Sequence, residues 1–216
     1  MIDKIKEKVS TIFSEEKTLS PEEEKKIILI APEAEGSPEP EMRVVGLYTD
    51  INEEKVAEVT QALLYLNETN RLKEDDKEKK PIDFYISTYG GNADDMFALY
   101  DIMKEVQKET EIHTIGMGKV MSAGVLLLAG GTPGQRKIGR NCRIMLHSVS
   151  SGNHGDLHNL VNEVEAIQEL QEMYINCLTQ ETKMTRSQVK KMLERKVNVY
   201  LSAEQAVEYG IADRVL

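Results

Sequence analysis

The sequence reads as an α/β fold with right-handed crossovers, and three observations carry that reading. Short apolar runs of strand character alternate with stretches whose apolar residues recur at helical spacing. Turn and cap residues sit at the joints: Asn52 and Ser202 before two helical stretches, Gly90-Gly91 after one strand-like run, Gly210 after the last helix. No apolar run is long enough to span a bilayer, so the apolar residues are those of a packed core.

Residues 1–42 stand apart. They hold four of the six prolines, and six lysines against eleven Asp and Glu residues give them −5, half of the formal net charge of −10. Ile2, Ile5, Val9 and Ile12 fall near one helical face, and Ser20-Pro-Glu-Glu-Glu is a helix start. Ile27–Ile30 suits a strand equally well, and Ala31–Glu41 is a Pro-rich acidic linker. Too small for a domain, the segment is read as an arm that is either flexible or docked on a neighbouring subunit. Residues 43–216 are the domain proper.

Within that domain Val44–Tyr48 reads as a strand. Asn52 then caps a helix that buries Val56, Val59, Leu63 and Leu66. The charged stretch Arg71–Lys80 is a solvated loop. Ile82–Ser87 is the next strand, and Gly90-Gly91 turns the chain into a helix carrying Met96, Leu99, Met103 and Val106. Strand-like runs follow at Ile112–Gly118 and Cys142–Leu146, with a small apolar helix, Ala123–Ala129, and a Gly-rich turn between them. Ser148–His158 is polar. A long amphipathic helix over Leu157–Thr182 has Leu160, Val164, Ile167, Leu170 and Tyr174 on one face. A helix from Thr185 to about Arg195, a strand over Val197–Leu201 and a capping box of Ser202 with Gln205 complete the chain.

Composition excludes several functions. At 216 residues, 40% hydrophobic and 30% charged, the chain suits one domain with a sizeable core. An acidic balance, no tryptophan and no basic cluster argue against nucleic-acid binding. The N-terminus lacks a signal-peptide core and Cys142 and Cys177 are the only cysteines, so a reducing, cytoplasmic setting without a disulfide is expected. His154 and His158 have i, i+4 spacing with Asp156 between them, but without a third strong ligand nearby they read as a solvated loop. No metal or cofactor is expected.

The stretch Gly118–His147 is the one the rest serves. Ser122 follows a strand-like run and opens the apolar helix, where unpaired N–H groups favour negative charge. His147 ends the next run, so both side chains are placed at one sheet edge. On spacing alone, a serine there is a helix cap and a terminal histidine an ordinary boundary residue.

The order of four motifs changes the balance: Tyr89-Gly90-Gly91, Gly118-x-x-x-Ser122-x-Gly124, Arg143-Ile-Met-Leu-His147, and Leu201-Ser-Ala-Glu-Gln-Ala-Val-Glu-Tyr-Gly210. Together, over roughly Arg43 to Leu216, they resemble the proteolytic subunits of the Clp protease. The resemblance implies the ClpP/crotonase-like fold, a spiral of strand-helix repeats with a protruding handle made of the long helix and a glycine-rich strand matched by Gly152 and Gly155. It implies a serine endopeptidase with Ser122 as nucleophile, His147 as general base, and the N–H groups of Gly91 and Ala123 as oxyanion hole. Asn198 stands where the family's third residue, an aspartate, is found. The segment before it is two residues longer than usual, and Glu194, one turn earlier, is the alternative. Stacked seven-membered rings of one subunit, a homo-oligomeric tetradecamer, are implied. So is an AAA+ unfoldase or a paralogous subunit as partner. On the strand before Gly90 the family presents aromatics to the unfoldase; here Phe84 and Tyr85 are retained and Asp83 replaces an outward aromatic. The competing readings are an idle subunit sharing a ring with an active paralogue, which Asn198 keeps open, and an enoyl-CoA hydratase-like enzyme, which lacks paired acids.

Overall fold

In the computed structural model, which describes residues 41–152, 154–195 and 197–216, the first strand is anchored before it begins. Arg43 is buried and donates to the carbonyls of Leu66 (2.9 Å) and Pro81 (3.2 Å) and to Thr69 Oγ1 (2.8 Å). It also pairs with Glu41 at 2.6 Å, and its guanidinium, helped by Lys73, outweighs desolvation and holds the Glu41 carboxyl down at about 2. The described body runs from Glu41 to Leu216. The readings made for residues 1–40 lie outside it.

Strand β1 (Val44–Leu47) leads into helix α1 (Glu53–Arg71), whose cap, Asn52, accepts from Lys55 N–H. Val56, Val59, Leu63 and Leu66 are all buried, as their spacing demands. A 3₁₀ turn, Asp76–Glu78, lies within the charged stretch. Next come β2 (Ile82–Thr88), α2 (Ala93–Val106), β3 (Ile112–Met121) and α3 (Ala123–Ala129). The chain continues with β4 (Lys137–Ile138), β5 (Arg143–Leu146), α4 (Leu157–Glu181), α5 (Arg186–Leu193), β6 (Val199–Leu201), α6 (Ala203–Glu208) and β7 (Arg214–Val215).

The strands form one sheet in the order β1-β2-β3-β4-β7, parallel throughout, with β5 also alongside β3 and β6 antiparallel to β5. This parallel, helix-connected sheet is the α/β architecture expected. Strand β3 is three residues longer than the apolar run that announces it. Ile115 and Gly116 pair with β4, whereas Lys119–Met121 pair with Arg143–Met145 of β5. Between the two, Gly118 at φ +64 bends the strand from one partner to the next. The bend carries β3 to the residue before Ser122.

All seven residues of α3 are buried. The helix is sealed from one side by Arg136, which is itself buried and donates to Ala129 O (3.1 Å), Glu181 O (2.5 Å) and the Asp213 carboxylate (2.9 and 2.6 Å). Burial raises the Asp213 pKa, but the hydrogen bonds and charge of Arg136 outweigh it and leave the carboxyl below its ordinary value. One guanidinium thus ties α3, the end of α4 and β7 together.

Helix α4 has the expected extent, but only Tyr174, Ile175 and Leu178 are buried. Towards its N-terminus Leu157, Val161 and Val164 are exposed, so the apolar face leaves the core after its last turns. The glycine-rich strand implied before it is not formed: among the described residues no strand lies between β5 and α4. Gly152 has no atom within 4 Å of its missing Cβ, and a strand with no neighbour has no ladder to join. Among the described residues no helix is long and apolar enough to cross a membrane.

Candidate active site

Strands β3 and β5 run parallel with Met121 opposite Met145, so they end at the same edge of the sheet. That edge carries Ser122 and His147, and His147 Nε2 lies 2.8 Å from Ser122 Oγ. The two residues singled out from sequence are therefore in hydrogen-bond contact, although they are 25 positions apart.

Ser122 is not the helix cap that its position suggests. It has φ +53 and ψ −123, among the described residues the only non-glycine position with positive φ, and its side chain makes no cap hydrogen bond. Such a conformation costs on the order of 1–3 kcal/mol and persists only where its surroundings enforce it. The surroundings here are specific. Ser122 N–H donates to Met145 O at 2.8 Å, and Tyr174 OH donates to Ser122 O at 2.9 Å. The sharp turn frees the hydroxyl from α3 and points it at the imidazole.

Glycines make room on the opposite side. A Cβ on Gly90 would meet Ser122 Cβ at 2.6 Å and Ser122 Oγ at 3.1 Å, and Gly90 has φ +109. Gly91, at φ +152, forms a parallel bridge with Ile51: Ile51 N–H donates to Gly90 O (2.8 Å) and Asn92 N–H to Ile51 O (2.9 Å). In a parallel bridge the flanking groups take the bonds, so the Gly91 N–H faces away from Ile51. Ala123, first residue of α3, has an N–H with no intrahelical acceptor. Neither N–H has a backbone acceptor among the described residues. Both residues line a cavity of about 550 Å³ with Ser122 and His147. Its other wall is α4, through Ile167, Leu170, Met173 and Tyr174.

Asn198 is placed by β6. That strand is antiparallel to β5 with Leu146 opposite Val199, and His147 and Asn198 are the next residues beyond that last pair. Asn198 is exposed, and among the described residues no hydrogen bond joins it to His147. Glu194 ends α5, 3.7 Å from Lys190 Nζ, and lines a separate basic cleft with Arg186, Lys191 and Arg195.

Other candidates fall into place around the site. On β2 the outward positions are Asp83, Tyr85 and Ser87, while Phe84 is fully buried and faces the core. Only Tyr85 therefore presents an aromatic on that outward face, beside an Asp83 that lies 3.6 Å from His113 Nδ1. Asp156 accepts from Asn159 N–H as the cap of α4, and among the described residues no three His, Cys, Asp or Glu side chains gather as a metal set. Cys142 is buried, which pushes its thiol up to about 11 and keeps it protonated. Sequence reasoning missed two contributors. Tyr174 was legible as part of an apolar face, but its hydroxyl partner was not. Gly90 was legible as a turn residue, but not as the residue that packs on the serine.

The family described as Clp protease matches residues 40–216. The ATP-dependent Clp protease proteolytic subunit of Mesostigma viride is 30% identical over 174 residues, 81% of this chain and 71% of that protein. Proteolytic subunit 2 of Gluconobacter oxydans (strain 621H) is 31% identical over 176 residues, 82% of this chain and 74% of that protein. Proteolytic subunit 1 of Tropheryma whipplei (strain Twist) is 32% identical over 178 residues, 82% of this chain and 81% of that protein.

Proposed function

The chain belongs to the Clp protease family, and from that premise we propose that it is a serine endopeptidase subunit acting through Ser122 and His147. The observation that carries the assignment is the 2.8 Å contact between His147 Nε2 and the hydroxyl of a serine held at positive φ. With its proton on Nδ1, the imidazole accepts the Ser122 proton at Nε2 as Oγ attacks the peptide carbonyl. The carbonyl oxygen gains charge and is met by the N–H groups of Gly91 and Ala123. Collapse expels the amine, which takes the proton from His147, and a water repeats the sequence to release the acyl group. The acyl side of the substrate lies along the apolar wall of α4.

Asn198 serves as the orienting group, its carbonyl oxygen accepting from Nδ1–H when substrate is bound. It offers no negative charge, so the imidazolium is less stabilised than beside an aspartate. Asn198→Ala is expected to lower kcat about tenfold with little change in KM, since the lost interaction is with the transition state. Asn198→Asp is expected to preserve or raise kcat. Steady-state hydrolysis of a fluorogenic peptide checks both. A silent Asn198→Ala alongside a crippled Glu194→Ala would move the role to Glu194, and two silent variants would leave a Ser/His dyad.

The exposed apolar face of α4 supports assembly. The relatives are named as subunits of an ATP-dependent protease, and stacked homo-oligomeric rings, served by an AAA+ unfoldase in the cytoplasm, are the assembly proposed here. Light scattering after size exclusion should give a mass many times the 24.4 kDa of one chain. A stable monomer at micromolar concentration would sink the ring. No observation favours the idle-subunit reading.

A further inference from the structure

We propose that Tyr174 is a positioning residue that aims the oxyanion donor, an inference that rests on the reading of Ser122 as nucleophile. The Ser122 carbonyl and the Ala123 N–H belong to one peptide unit. A trans peptide is planar, and its C=O and N–H point in opposite directions, so whatever fixes the carbonyl also fixes the N–H. Tyr174 OH donates to that carbonyl at 2.9 Å from α4, and Val125 N–H donates to it at 3.0 Å. The Val125 bond comes from within the same turn and moves with it. The Tyr174 bond comes from α4, 52 positions away, and ties the peptide to a separate element.

The bond is suited to that work. Tyr174 is buried on the last turns of α4 that enter the core, with Ile175 and Leu178 beside it. Burial pushes its phenol far above the ordinary range, so the hydroxyl stays a donor at any working pH. A donor on the carbonyl also polarises the peptide and makes its N–H a stronger donor to developing negative charge. Ser122 sits at φ +53 and ψ −123, outside the allowed left-handed well, and rotation of this peptide about ψ would carry the residue toward that well. Rotation would swing the Ala123 N–H out of the cavity without altering the cavity walls that bind the peptide.

The expected signature is thus in the transition state and not in the ground state. Tyr174→Phe keeps the ring and removes only the hydroxyl. It should lower kcat about tenfold, the scale of one hydrogen bond, and leave KM unchanged. A peptide boronate, which forms a tetrahedral adduct on the serine, should lose affinity by the same factor. Tyr100→Phe is the matched control: Tyr100 is also buried, and its hydroxyl bonds Glu181 at 2.6 Å, away from the serine. That variant should lose comparable thermal stability with kcat and boronate affinity intact. If Tyr174→Phe folds poorly, kcat is taken per serine labelled to completion by fluorophosphonate, so that only folded protein enters the comparison. An active wild type with Tyr174→Phe at full kcat and full boronate affinity overturns the inference alone, as does an equal kcat loss in Tyr100→Phe. A wild type that neither cleaves peptide nor reacts with a fluorophosphonate removes the nucleophile reading and this inference with it.

Discussion

Ser122→Ala is expected to abolish peptide hydrolysis, with a fall in kcat on the order of 10⁶, while the protein stays folded and assembled. Oγ is the only atom removed, and it is the atom that lies against His147 Nε2. The turn that presents it is held by bonds to the backbone of residue 122, from Ser122 N–H to Met145 O and from Tyr174 to Ser122 O, and alanine keeps both. Stability should therefore stay within about 1 kcal/mol of wild type in urea unfolding. Fluorophosphonate labelling should vanish with activity. Cleavage that persisted in pure Ser122→Ala protein would show that the nucleophile lies elsewhere.

Gly91→Ala is expected to combine a large kinetic loss with a structural one. A Cβ at this position would stand 2.1 Å from Ile51 O, 2.6 Å from Ile51 N and 2.8 Å from Ile51 C, all backbone atoms that cannot swing aside. At φ +152 the conformation is also one that glycine alone adopts freely. Relief requires either a shift of the Ile51 segment or a flip of residue 91, and both displace its N–H from the cavity. Loss of one oxyanion donor costs about 10²–10³ in kcat, and the clash about 2 kcal/mol or more in stability. Gly134→Ala separates the two effects. Gly134 has φ +85 but no atom within reach of a Cβ, so it should show a small stability loss with full activity. Activity within tenfold of wild type in Gly91→Ala would remove Gly91 from the oxyanion hole.

The main buried face of helices α1 and α2 was legible, though not Phe97 and Tyr100 beside it, because burial at i, i+3 and i+4 leaves its period in the sequence and Asn52 caps the first as its chemistry requires. The capping boxes at Thr185 and Ser202 are local patterns of the same kind. The extra length of β3 was not legible, because Lys119 and Met121 enter a strand only through pairing with Arg143 and Met145. The glycine-rich strand that the resemblance implies is not formed for the converse reason: the segment has no neighbouring strand to pair with.

By itself the sequence determined the alternation of strands and helices and the placing of Ser122 and His147 at the ends of two runs. Both are consequences of local spacing. The tertiary structure alone decided that those ends meet at 2.8 Å and that Ser122 abandons the cap for a strained turn. It alone decided that Gly90 and Tyr174 both hold that turn, and that α4 leaves Leu157, Val161 and Val164 exposed. Each of these depends on residues 25 to 52 positions apart, or on different elements, being brought together by the sheet, and no local period records such a contact.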